Sequence, residues 1–320
     1  MRCLFAGLVV VATGAGLARA QAVKVDASIA PYEKTSGVSG NLSSVGSDTM
    51  NNLMALWGEA FQKMYPNVKI QIEGKGSTTA PPALIAGTSQ FGPMSRPMKP
   101  TEVDQFEAKF GYKPTQFRTS YDGLAVWVNK DNPLDKATLA EVDGLFSKTR
   151  RRGGKNVSTW GQLGLSGDWA TRPISLYGRN SASGTYGFFK EHVLMNGDYK
   201  DSVKEQPGSA SVVQGVTADR FGMGYSGIGY RTSGVKNLSL AAKAGGPYSN
   251  GRYEDVVSGK YPLSRFLYIY VNKAPGKPLD PVVREFLKLV LSHEGQDVVV
   301  KDGYYPLSAK IVQEELAKLR

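Results

Sequence analysis

Between Met50 and Met64 the apolar residues return every third or fourth position. Met50, Leu53, Met54, Trp57, Phe61 and Met64 fall on one face, which predicts an amphipathic helix stopped by Pro66. The period then drops to two in Val68-Lys69-Ile70-Gln71-Ile72, which predicts a half-buried strand. A short strand over Asn41 to Val45 precedes the helix. After Ile72 come a short helix ending at Ala86, a turn-like Gly92-Pro93-Met94-Ser95-Arg96-Pro97 and a polar helix from Thr101. Further on the pattern predicts a strand over Leu124 to Asn129, bounded by Tyr121-Asp122-Gly123, and a helix from Ala137 to Phe146. A strand over Ile174 to Tyr177 leads into a Ser/Gly turn, Arg179 to Thr185, and a helix from Tyr186 to Met195. Next come a helix over Ser209 to Asp219, a Gly-rich strand over Phe221 to Tyr230 and a strand over Leu267 to Val271. Three terminal helices follow at 281–291, 294–302 and 309–319. Residues 23–40 show no periodicity and read as an extended arm. Strand, glycine turn and helix in repetition are the grammar of an α/β fold.

The first residues read differently. Met1 and Arg2 precede an apolar run from Leu4 to Leu17, and Ala18-Arg19-Ala20 or Ala20-Gln21-Ala22 offers a cleavage site. A positive start, a short apolar core and an Ala-x-Ala end describe a secretory signal peptide, residues 1–22, and hence an exported protein. The competing reading is a membrane anchor, for which the run is short of the ~20 residues a spanning helix needs. The only cysteine, Cys3, lies inside this segment. The exported chain therefore has neither disulfides nor thiol chemistry, and its core must hold it together. Its length suits two domains.

The formal charge is +11, of which Arg2 and Arg19 contribute two. A basic exported protein attracts anions. Nucleic acid is not expected, because no basic stripe carries interleaved aromatics. The one dense cluster, Lys148-Thr149-Arg150-Arg151-Arg152-Gly153-Gly154-Lys155, reads as a solvated loop.

Three segments share one chemistry: Gly46-Ser47-Asp48-Thr49, Gly76-Ser77-Thr78-Thr79 and Ser181-Ala182-Ser183-Gly184-Thr185. Each puts small hydroxyl residues where a turn enters a helix. Such an entry has unsatisfied N–H groups and a partial positive charge. Any one of them reads equally as an ordinary helix cap. Three together point to an oxyanion site. Arg179, on the loop that carries Ser183 and Thr185, adds a planar fork able to bind two oxygens.

These residues, with Phe91-Gly92-Pro93-Met94-Ser95-Arg96 and Tyr268-Ile269-Tyr270-Val271-Asn272-Lys273, resemble the periplasmic phosphate-binding proteins of the phosphate-specific ABC transporter. The resemblance runs from Asn41 to the C-terminal helices. It implies a two-lobed α/β architecture of the Venus flytrap type with two hinge strands. Lobe one would hold 41–122 and 265–320, and lobe two 123–264. It implies inorganic phosphate as ligand, a membrane permease of an ABC importer as partner, a monomer, and no cofactor. By resemblance Ser77, Arg179, Ser183, Gly184 and Thr185 are phosphate ligands, and the first loop adds two donors near Asp48 and Thr49. In the family an Asp follows a Phe-Gly-Ala-Ser stretch and accepts a hydrogen bond from protonated phosphate. Here Ser95 stands there, followed by Arg96, so the acceptor must come from elsewhere. Asp48, placed equally well to cap a helix, is the first candidate. Asp122 at the hinge is the second, or instead orients Arg179.

Two other classes compete. An enzyme would need a base, and the only histidines, His192 and His293, lie in expected helices away from the Gly-Ser turns. The Walker phosphate loop and a clustered metal-ligand spacing are absent. An adhesive or structural exported protein would use a free arm and the basic surface to bind anionic partners.

Overall fold

The structure is a computed structural model that describes residues 23–320. The apolar run and the cleavage site lie outside the described residues. The first strand and helix, β1 (Gly40–Val45) and α1 (Asn51–Met64), are followed by β2 (Val68–Glu73), α2 (Ala80–Ala86), β3 (Gly92–Met94) and α3 (Pro100–Phe110). The long β4 (Thr115–Asn129) leads to β5 (Lys136–Thr138), α4 (Leu139–Phe146), β6 (Ser175–Arg179), α5 (Gly184–His192) and β7 (Lys204–Gln206). Then come α6 (Ser209–Ala218), β8 (Gly222–Gly227), β9 (Val235–Asn237), β10 (Ser239–Ala241) and α7 (Tyr253–Val257). The chain ends with β11 (Ser264–Val271), α8 (Pro281–Val290), α9 (His293–Lys301) and α10 (Ala309–Ala317).

The main sheet runs β3-β11-β4-β8-β6-β7, with β9 also on β4. Its organising strand is β4. Residues 115–123 pair antiparallel with β11, and residues 124–129 pair with β8 and β9. The strand therefore serves two half-sheets and changes partner between Gly123 and Leu124. Around one half, α1, α8 and α9 pack with the parallel pair β1-β2; around the other, α5 and α6 cover β6 and β8, and α4 meets β8 through Phe146 and Tyr225. The result is a two-lobed α/β architecture.

The apolar stripe of α1 explains the first packing unit. Met50, Leu53, Met54, Trp57 and Phe61 are fully buried, each burial contributing on the order of 1.5–3 kcal/mol. Trp57 Nε1 donates to the Gly295 carbonyl at 2.8 Å, so its polar edge is satisfied inside the core. Phe61 and Phe91 both meet the Phe286 ring, at 5.4 and 4.7 Å between centroids. In the other unit Phe189 stacks on Tyr225 at 3.9 Å, with Phe146 edge-on to both.

Four expectations are corrected. The strand expected at Leu124 begins nine residues earlier. Tyr121-Asp122-Gly123 reads as a boundary, yet it lies within β4, where Arg265 and Ile228 N engage the buried Asp122 carboxylate. Gly92–Met94 is a strand on the β11 edge instead of a turn. The fifth helix begins at Gly184, two residues before Tyr186, because the Ser183 side chain caps it. The arm is not free. Ile29 is buried, and His293 N donates to Ala30 O at 3.0 Å. Tyr32 OH bonds Tyr65 OH at 2.6 Å and Glu285 Oε2 at 3.0 Å, and Asp26 accepts from Ala309 N. Glu285, His293 and Ala309 lie more than 250 residues away along the chain, so no local period could announce them.

Asp302, just after α9, is partly buried. That burial raises its carboxyl from the ordinary 3.8 to about 6, against the lowering effect of a hydrogen bond from the Asn52 amide. The folded state thus binds this proton more tightly than the unfolded state, and stability should decline as pH rises from about 4 to about 6. Urea denaturation midpoints across that window should fall in the parent and flatten in Asp302→Asn.

Candidate functional site

The partner change in β4 sets the floor of the site. Asp122 of β4 and Arg265 of β11 are directly opposed in the antiparallel register. Both are buried, and Arg265 Nε and Nη2 reach Asp122 Oδ2 at 2.8 and 2.6 Å. The other oxygen, Oδ1, accepts from Ile228 N at 3.0 Å, so both carboxylate oxygens are engaged. Arg265 then extends upward. Nη1 donates to Ser95 O at 2.9 Å and Nη2 to Thr185 Oγ1 at 2.9 Å. One guanidinium thus ties the loop after β3 to the start of α5.

Three helix entries converge above it. Thr49, in the single 3-10 turn before α1, meets Thr185 Oγ1 with its own Oγ1 at 2.8 Å. Ser77, opening the turn before α2, accepts from Ser95 N at 3.0 Å and lies 3.3 Å from Ser95 Oγ. Ser95 Oγ is in turn 3.5 Å from Thr185 Oγ1. The Ser183 hydroxyl accepts from Thr185 N and Tyr186 N, so it is the cap of α5 and keeps its own proton for donation. Gly184 is required by proximity: a Cβ there would lie 2.3 Å from Ser77 Oγ and 2.6 Å from Ser95 Oγ. The same holds at Gly76, whose φ of 109° and 2.4 Å separation of an added Cβ from Ala182 O both demand glycine. Thr78 closes this contact by donating its N–H and hydroxyl to Ala182 O, at 3.2 and 3.1 Å.

Arg179 and Asp48 form a second ionic unit. Arg179 Nη2 is 3.0 Å from Asp48 Oδ1, Nη1 donates to Ser209 Oγ at 2.6 Å, and Nη2 donates to Pro207 O at 3.1 Å. Asp48 Oδ1 also accepts from Ser209 N at 2.8 Å, so this side chain caps α6. Burial depresses the Arg179 guanidinium pKa, and the Asp48 charge opposes that shift. Two buried polar atoms here have no partner among the described residues: Arg179 Nε and Ser47 Oγ. A buried donor without an acceptor costs stability, which an incoming acceptor would recover. The expectation that Asp122 orients Arg179 is corrected: Asp122 holds Arg265, and Asp48 holds Arg179. Arg96 points away into a bidentate pair with Glu102.

A family model described as the PBP superfamily domain matches residues 31–294. The phosphate-binding protein PstS of Pseudomonas aeruginosa is 56% identical over 320 residues, covering 100% of this chain and 99% of its own. The Staphylococcus epidermidis PstS is 30% identical, covering 85% and 80%. The chain belongs to the PstS family of the PBP superfamily. A structure from Clostridium perfringens, described as a phosphate ABC transporter substrate-binding protein with bound phosphate, superposes with a TM-score of 0.71. It is 24% identical and covers 84% of this chain and 100% of its own, which supports the fold.

Within this PstS-family fold, Thr49, Ser77, Ser95, Gly184 and Thr185 come together, with Asp122 beneath them through Arg265. Arg179 and Asp48 form the adjoining unit, and Arg179 makes no hydrogen bond to Ser183 or Thr185. Arg265 is the group that sequence reading missed as a site residue. The available signal was a charge at the start of an otherwise aromatic and β-branched strand. His192 ends α5 and lines the cavity beside Ser183 and Arg265, and His293 pairs with Asp297.

Removing one member of a buried ion pair leaves the other uncompensated, at about 3–5 kcal/mol. Arg265→Ala should therefore lower the urea-derived unfolding free energy by about that amount. The double variant with Asp122→Ala should lose less than the two single losses added together.

Proposed function

We propose that the chain captures inorganic phosphate between its lobes and delivers it to an ABC-type importer, acting as a binding protein and not as an enzyme. The observation that carries this reading is the convergence of three hydroxyl-bearing helix entries beside a buried arginine whose Nε–H has no acceptor. The 56% identical relative, over the full chain, carries the name phosphate-binding protein. Ser47, Thr49, Ser77, Ser95, Ser183 and Thr185 would supply hydroxyl donors, Gly184 close backbone approach, and Arg179 the charge. Lobe one would comprise 41–122 and 265–320 and lobe two 123–264, each contributing donors so that closure completes the site. We further infer export to the periplasm behind a cleaved signal peptide, a monomeric state, and docking on a membrane permease. Among the described residues no helix is long and apolar enough to cross a membrane.

Phosphate near neutral pH carries a proton and sulfate does not. A carboxylate oxygen with a free lone pair accepts that proton from phosphate and repels sulfate. Both oxygens of Asp122 are engaged by Arg265 and Ile228, whereas Asp48 Oδ2 makes no hydrogen bond among the described residues. Asp48 is therefore the proposed discriminator.

Calorimetry should show one phosphate per chain. Arg179→Ala should weaken binding at least tenfold, since a charge-assisted hydrogen bond is worth ~1.5–3 kcal/mol. Sulfate should begin to compete in Asp48→Asn, while Asp122→Asn should unfold more easily yet keep its preference. Tight binding of another anion with none of phosphate would refute the reading.

A further inference from the structure

A second cavity, of about 570 Å³, lies in the part of the molecule built around α4 to α6. Its walls come from the loop after α4, the approach to β6 and the segment before β7, and they carry Lys148, Arg150, Lys200, Asn156, Ser158 and Ser202. None of these residues takes part in the interlobe site.

The charges here are unbalanced. Lys148 pairs with Asp201 at 3.0 Å, the one carboxylate in the wall, and that side chain is 91% exposed. Arg150 Nη1 donates only to the Lys148 carbonyl, at 2.9 Å. Lys200 Nζ donates to the Val157 carbonyl at 2.7 Å. Neither Arg150 nor Lys200 has a carboxylate within ion-pair distance among the described residues. Arg150 is moreover held at φ 49°, a left-handed conformation that non-glycine residues seldom adopt. Ser147 Oγ fixes that turn by accepting from Thr149 N and Arg150 N, at 3.1 and 3.0 Å. Strain of this kind persists where the surroundings over-determine it, and it aims a side chain. Partial burial, and then the neighbouring Arg150 charge, push the Lys200 ammonium pKa down, so an anion placed between them would relieve both.

We propose that this cavity is a second anion site for a ligand carrying several phosphoryl charges, such as a short linear oligophosphate. Its volume falls in the class that holds a small organic ligand, well above a single tetrahedral ion. Three cations against one exposed carboxylate call for at least two negative charges in little space. A chain of phosphoryl groups brings those charges together with acceptor oxygens for the Arg150 fork and the Ser158 and Ser202 hydroxyls.

The test uses the whole chain from residue 23, loaded with one equivalent of inorganic phosphate. Tripolyphosphate is titrated calorimetrically while phosphorus NMR follows the bound phosphate. One additional binding event is expected, with the first phosphate staying in place. The double variant Arg150→Asn, Lys200→Met should weaken that event at least tenfold and leave inorganic phosphate binding unchanged. Asn tolerates the left-handed conformation and Met keeps the lysine stem, so the fold is retained, as a thermal melt would check. Glucose 6-phosphate, with one phosphoryl group, should bind at least tenfold more weakly than tripolyphosphate. Three results would each overturn the proposal: no additional event, an event the double variant leaves intact, or equal binding of glucose 6-phosphate.

Discussion

The Asp122–Arg265 pair is the constraint on which the site depends. It sits where β4 exchanges one partner strand for another, so the ion pair and the hinge geometry share the same few residues. Arg265 can reach Ser95 and Thr185 together only because Asp122 and the β11 register fix the root of its side chain. A planar fork with five donors can hold a carboxylate, a carbonyl and a hydroxyl at once, which a lysine ammonium on a flexible stem cannot do in one plane. Buried ion pairs seldom add net stability over an apolar replacement. What this one gives is position: it holds Ser95 and Thr185 where Thr49 and Ser77 can meet them.

Above that floor the chemistry is assembled from weak local signals. A hydroxyl at a helix entry is ordinary, and Ser183 does the ordinary thing by capping α5. Asp48 likewise caps a helix, although not the one it precedes: it reaches α6 and is thereby brought against Arg179. Capping and anion recognition use the same backbone donors and small side chains, so one residue can serve both ends of the argument. The arrangement departs from simple capping at Ser47 Oγ and Arg179 Nε, which are buried and without a hydrogen-bond partner among the described residues.

Much of this was legible in the sequence. The stripe of α1, the alternation of β2 and the apolar faces of the terminal helices carry their own periodicity, and the structure follows it within a residue or two. The three hydroxyl turns were legible because their composition is local. The long β4 was not, since Thr119 and Asp122 look like a break until their partners on α9, β11 and the turn after β8 are known. Arg265 was missed for the same reason. A charged residue opening a strand reads as a solvated edge, and only the cross-strand register shows that Asp122 faces it.

The segment before β1 has a consequence for the order in which the molecule can form. Tyr32 is fastened to Glu285 and Ala30 to His293, contacts between the start of the described residues and the C-terminal helices. Contacts of such sequence separation require the intervening loop to be closed first, and they form late. During vectorial synthesis the segment around Ile29 appears long before α8 and α9 and has no surface to rest on until they exist. Its docking is thus a completion step that only an entire chain can take, and its protection from exchange or proteolysis reports that the last residues have arrived.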